Sequence, residues 1–225
     1  MLLMLACLWW AQQRNVAWPE LPYRFNPWAP LQFDAPPDAL LRLRLGALER
    51  DPVACLDVLA QTPLRVRVLE DRVTGPGCGF SNAVEIHRTA VETSPPFSLS
   101  CRAAVSLALW ERHVLLPAAR TQLGSEVARI EHFGSYACRN VYGRETGRRS
   151  QHSTADALDV AGIVLRDGRR IRVLADWHGD GPDAAFLRTL RDGACTYFDA
   201  VLGPDYNAAH RDHFHFDRGA ARICR

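Results

Sequence analysis

Ser150-Gln151-His152-Ser153-Thr154-Ala155-Asp156-Ala157-Leu158-Asp159 begins polar, runs into a strand-like apolar segment, and sets an imidazole and a carboxylate seven residues apart. A second stretch, Asp212-His213-Phe214-His215-Phe216-Asp217, alternates strictly. In extended backbone His213 and His215 therefore share one face, and Phe214 and Phe216 the other. Each stretch alone reads as an ordinary polar run beside a strand. Together they offer what a borderline-soft divalent cation such as zinc requires, neutral imidazole and carboxylate, with three protein ligands and a fourth position left for water. His152, Asp159 and His215 are that set. Asp212, three residues before His215, is placed to take a proton from the activated water. His213 is expected within hydrogen-bonding reach of substrate or an oxyanion. Asp156 and Asp217 flank the ligands and are candidates to orient an imidazole.

Ser150-x-His152-x-x-Ala155-x-Ala157-x-Asp159 resembles the SxHxxGxAxD signature of LAS-type zinc D-Ala-D-Ala peptidases, with Ala155 at the glycine position. Asp212-x-x-His215 resembles that group's acidic-x-x-His motif, and His213-x-His215 the HxH form of its murein endopeptidase branch. Over roughly residues 50–225 the chain also resembles the bacterial extensin-like C-terminal domain family, through Cys138-Arg139-Asn140, Ser150 to Asp159, Leu202-Gly203-Pro204-Asp205-Tyr206-Asn207 and Asp212 to Asp217. The resemblance implies an α+β fold of the LAS or hedgehog peptidase type, a zinc ion, and a peptidoglycan peptide as substrate. Residues 134–139 loosely resemble the SGYR segment of these peptidases, which implies that Arg139 faces substrate.

The surrounding chain fits one sizeable domain: 225 residues, 48% of them hydrophobic, are enough for a substantial core. The formal net charge is only +2, all basic side chains are Arg, and no long basic run occurs, so nucleic-acid binding has no support. Residues 1–17 read as an apolar anchor or signal fragment, too short before Gln12 for the ~20 residues a span needs. Membrane association through this segment is the expectation. Residues 18–49 read as a Pro-rich arm with a short helix at 38–48, and residues 50–225 as the metallopeptidase-like domain. Within it, Asp51-Pro52 signals a helix start, and residues 64–69, 129–133, 158–164, 171–175 and 213–217 read as strands of one small, mostly antiparallel sheet. Helices near 101–123, capped by Ser100 and kinked at Pro117, and 183–202 are expected to pack on it.

Cys7 lies in the apolar start, which leaves Cys55, Cys78, Cys101, Cys138, Cys195 and Cys224, spread through the domain without a C-x-x-C pair. Six cysteines allow fifteen pairings. Behind an apolar N-terminus they are expected as three disulfides in a periplasmic or other extracytoplasmic compartment. A bridge at Cys138 would fix the wall beside Arg139.

These readings converge on a zinc-dependent peptidase of cell-wall stem peptides, a carboxypeptidase or an endopeptidase. The alternative is a non-catalytic, metal-containing module that binds the cell wall, and Ala155 in place of glycine is the feature that favours it, since a methyl there would narrow the turn or the cleft. A serine hydrolase has little support, because Ser150 lies in no G-x-S-x-G elbow. His87, His113, His132 and His178 lack partner spacing, and His210 reads as a loop residue that could line the cleft.

Overall fold

The computed structural model describes residues 21–225. The expectation for residues 1–17, and the first residues of the arm, lie outside that range. The architecture is α+β, as expected, with helices packed on mostly antiparallel sheets.

In chain order the strands are β1 (Arg65–Val68), β2 (Arg72–Gly75), β3 (Cys78–Phe80), β4 (Ala83–Arg88), β5 (Glu92–Thr93), β6 (Phe97–Ser100), β7 (Val127–Gly134), β8 (Ala157–Leu165), β9 (Arg170–Arg172), β10 (Ala200–Leu202), β11 (Phe214–Asp217) and β12 (Ile223–Cys224). The principal sheet has the order β12-β10-β11-β8-β7-β5, with β9 also paired to β8. A three-stranded sheet β1-β4-β6 and a ribbon β2-β3 stand apart from it. The strand expected at 64–69 therefore belongs to a second sheet. On the apolar face of its alternation Leu64 and Val66 are partly covered while Val68 is 58% exposed, and the pattern carried no information on its partner, which is β4.

Two other expectations change. The second strand of the 158–175 hairpin ends at Arg172, and Val173–Asp176 is helical, with Asp176 Oδ2 accepting from Arg172 N at 2.7 Å. The helix expected to reach 202 is Pro182–Ala194, after which a turn leads into β10. Apolar residues continue at helical spacing through Tyr197, Phe198 and Val201, which is why the pattern outlasts the helix.

Helix Cys101–Trp110 runs through a π turn, Glu111–Leu115, into Leu116–Leu123, and stops at left-handed Gly124. Ser100 caps it, its Oγ accepting from Ala103 N at 3.3 Å. Against the π turn lies helix Pro182–Ala194, and a Cβ at Gly193 would come within 2.4 Å of Val114 Cγ1, so glycine permits that approach. Trp110, fully buried, donates its indole N–H to Leu190 O at 3.1 Å and packs edge-on to Phe216. Phe214 and Phe216 seat β11 on this core through Trp177 and Phe198. The Pro-rich arm wraps onto the same core: Leu31 and Phe33 are buried, and buried Arg44 bonds Asp38 twice at 2.9 Å while covering the Tyr23 ring.

Among the described residues three disulfides fasten the fold: Cys55–Cys101 joins two helices within the core, Cys78–Cys138 ties β3 to the loop after β7, and Cys195–Cys224 ties the helix end to β12. Three bridges in one domain indicate an oxidising, extracytoplasmic setting. Among the described residues no helix is long and apolar enough to cross a membrane.

Candidate metal centre

The centre forms where three local structures meet. β8 and β11 are adjacent antiparallel strands whose register sets Asp159 opposite His215, so the two side chains emerge on one face as a cross-strand pair. The aromatic residues of β11 point the other way, into the core, which fixes that register: a slip of one residue would turn the imidazoles into the apolar core and the rings out of it. His152 comes from a 3-10 turn, Gln151–Thr154, that ends on left-handed Ala155 at φ 55°. A glycine is favoured in that conformation, which explains the residue type of the peptidase signature at this position. The Ala155 methyl is fully buried and so does not narrow a cleft.

The protonation pattern follows from the partners. His152 Nδ1 meets the main-chain oxygen of Ser135, which only accepts, so Nδ1 carries the hydrogen and Nε2 a lone pair. His215 Nε2 lies 3.0 Å from Asp217 Oδ2 and donates to it, leaving the lone pair on Nδ1. These two lone pairs are 3.1 Å apart, and Asp159 Oδ1 lies 3.2 Å from the first and 2.9 Å from the second. Three acceptors thus converge, all on buried residues. Such a cluster is repulsive unless a cation sits in it. Ligand atoms about 2 Å from a tetrahedrally coordinated ion are separated by about 3.3 Å, close to the spacing found here. The residues fit a metal ion. In the metal-free protein a proton takes that place: burial opposes a charge on His215, but the Asp159 and Asp217 carboxylates outweigh it and raise its pKa to about 9. Burial likewise opposes the charge on Asp159, and its bonds to His152 and His215 overcome that and hold its pKa far below the usual carboxylate range.

Asp217 is thus the flanking carboxylate that orients an imidazole. Asp156 is not. It accepts from Ser100 Oγ at 2.6 Å, Arg102 Nε at 2.9 Å and Thr154 Oγ1 at 2.9 Å, and so ties the 3-10 turn to the helix start instead.

The other expected site residues lie around the triad. His213 Nε2 is 3.6 Å from Asp159 Oδ1, and its Nδ1 donates to Asp212 Oδ1 at 2.8 Å. The residue that faces the ligands is therefore His213, with Asp212 holding it from the far side of the ring. Arg139 is exposed and anchored by its own main chain, its carbonyl accepting from Ser150 N at 3.1 Å and Ser153 Oγ at 3.0 Å. Its charge is felt at His210, where burial first, then the charges of His215 and His213, lower the pKa to about 4. His210 is buried with its ring 5.3 Å from that of His213 and 5.8 Å from that of His215, so it lines the site as a neutral imidazole. The sequence offered only its proximity to Asp212 as a signal. Ser135, whose carbonyl fixes His152, carried none, because any residue supplies a main-chain oxygen. His87 pairs with Glu85, while His113 and His132 bond the carbonyls of Phe33 and Pro95, all outside the triad.

Comparison with curated proteins and with solved structures returns no match. The family that accounts for this chain is described as extensin-like protein C-terminus, and its match begins one residue after the helix-starting Asp51-Pro52 and continues to the final arginine, residues 53–225. That span contains the three disulfides, both segments of the candidate metal site and every strand among the described residues, and the chain belongs to the extensin-like protein C-terminus family.

Proposed function

We propose that the protein is a zinc-dependent peptidase acting on the peptide stems of the bacterial cell wall, related to the LAS-type peptidases whose signature its two ligand segments resemble. The observation that carries this reading is the convergence of His152 Nε2, Asp159 Oδ1 and His215 Nδ1 on one point that needs a single cation, a proton or a metal ion. When bound, zinc supplies a Lewis acid that activates water near neutral pH and polarises a carbonyl. The chain's own residues do the rest. Asp212 fixes the His213 tautomer, so that Nε2 presents a lone pair towards the ligands and takes the proton of the attacking water. In this reading the base is His213, and Asp212 is its positioning residue. Protonated His213 then returns the proton to the leaving amine. Arg139, exposed and near enough for its charge to act on His210, meets the developing oxyanion or a substrate carboxylate. Phe133, 63% exposed and packed edge-on to His213, with Tyr142 and Tyr206 beside His210, offers an aromatic rim on which an extended peptide can lie.

The test is hydrolysis of a defined stem peptide by zinc-loaded protein, followed by product chromatography. His213→Ala should keep its metal and lose a factor of about 10²–10⁴ in rate, the usual worth of a positioned base. His215→Ala should lose metal and turnover together. A wild-type protein that binds zinc and wall peptides yet cleaves none would replace this reading with a cell-wall binding module.

A further inference from the structure

A polar cavity of about 450 Å³ adjoins the metal centre without sharing its ligands. Four arginines line it, Arg42, Arg102, Arg218 and Arg222, against two carboxylates, Glu49 and Asp199. Arg102 also gives its Nε to Asp156, and counting that third carboxylate still leaves one positive charge in excess (four minus three). Arg218 is the unusual member. Its side chain is only 5% exposed, one nitrogen reaches Asp199 Oδ2 at 3.1 Å and Tyr197 O at 3.3 Å, and Nε is buried with no partner among the described residues. Burial lowers its pKa, with Asp199 opposing and the Arg102 and Arg42 charges adding to the effect. Arg222, exposed at the rim, has no ion pair among the described residues. A buried guanidinium with an unused donor, set among like charges, is destabilising unless an anion completes it.

We propose that this cavity is a phosphate-binding site, in which the guanidinium groups of Arg218 and Arg222 hold the oxygens while Arg42 and Arg102 close the sides. Forked N–H donors suit a tetrahedral oxyanion, and the cavity is roomy enough for either free phosphate or the phosphate of a small ester. The site abuts the metal centre through the chain itself. Gln151 in its lining precedes the ligand His152, and Gly219 donates its N–H at 2.8 Å to Asp217 Oδ1, the carboxylate that holds His215. A Cβ at Gly219 would fall 2.5 Å from Gln151 Nε2, so the wall is closed tightly here.

The experiment uses the full chain treated with chelator, so that phosphate cannot bind at a metal ion. Calorimetric titration with inorganic phosphate, and separately with glycerol phosphate, is run at constant ionic strength against chloride and acetate. Saturable binding of one phosphate per chain is expected, weakened at least about tenfold in Arg222→Gln, which removes charge-assisted bonds from the rim, and unchanged in Arg166→Gln, an exposed arginine elsewhere. Binding of the ester as tightly as the free ion identifies the site as one for phosphate esters; binding of the free ion alone identifies an inorganic phosphate site. No saturable binding beyond the chloride control, or equal weakening in both variants, would overturn the proposal. Neither result bears on peptide hydrolysis.

Discussion

Replacing Asp217 by Asn tests the geometry of the metal centre without touching a ligand. In the native protein Oδ2 accepts from His215 Nε2 at 3.0 Å and Oδ1 accepts from Gly219 N at 2.8 Å. An amide has one oxygen for these two donors. If it serves Gly219, its NH2 faces His215 Nε2, which must shed its hydrogen to Nδ1 and so mask the lone pair that a metal needs. If it serves His215, two N–H groups collide at Gly219. Loss of a carboxylate behind a ligating imidazole typically costs 10–100-fold in metal affinity, or about 1.4–2.7 kcal/mol. Competition for zinc with a chromophoric chelator reads that change directly, and circular dichroism checks that the fold survives. Zinc affinity equal to wild type in a folded Asp217→Asn protein would refute the assignment of Nδ1 as the ligand atom of His215.

Two further expectations concern the scaffold. Glu111 is fully buried in the π turn, its Oε2 accepting from Ala90 N at 3.0 Å and its Oε1 without a partner, and burial raises its pKa from 4.5 to about 7 despite the Ala90 bond and the nearby Thr89 hydroxyl. The folded state therefore binds more protons than the unfolded one between those values. Its contribution to stability is fully present below about pH 4.5 and is lost as pH rises through 7, a fall of about 3 kcal/mol. Denaturant titrations of chelated protein at pH 5 and 8 should show Glu111→Gln near wild type at the lower pH and more stable at the higher. A parallel pH dependence in wild type and variant would contradict this. Cys78–Cys138 closes a separation of 60 residues, for which loop-closure entropy gives about 4 kcal/mol. Cys78→Ser with Cys138→Ser should lose up to that amount by the same titration, and unreduced, unfolded wild type should show none of the six domain thiols free.

The parts of this molecule legible in the sequence are those where a side chain's own chemistry and the local period coincide. His215 could be read because alternation in β11 must put Phe214 and Phe216 in the core, and Asp159 because the run after it can only be a buried strand. The roles of Asp212 and His213 were less accessible. Both lie close to the ligands in sequence, and only the ring orientation distinguishes the group facing the site from the group behind it. The Ser135 carbonyl was invisible for want of any residue preference. At the level of the fold, alternation in residues 64–69 revealed a face but no neighbour, and the helix ending at Ala194 was overrun by an apolar pattern that the following turn and strand continue. The disulfide pairing, open among fifteen combinations, was settled only by which elements the sheets bring together.

The account rests on two imidazoles and one carboxylate meeting at a single ion, and X-ray absorption at the zinc edge of stoichiometrically loaded protein examines that directly. The expected first shell holds two imidazole nitrogens and carboxylate or water oxygens at about 2.0–2.2 Å, with no sulfur, since all six domain cysteines are paired. His215→Ala should fail to load. Sulfur scattering near 2.3 Å, a shell without imidazole, or unchanged loading of the variant would contradict it.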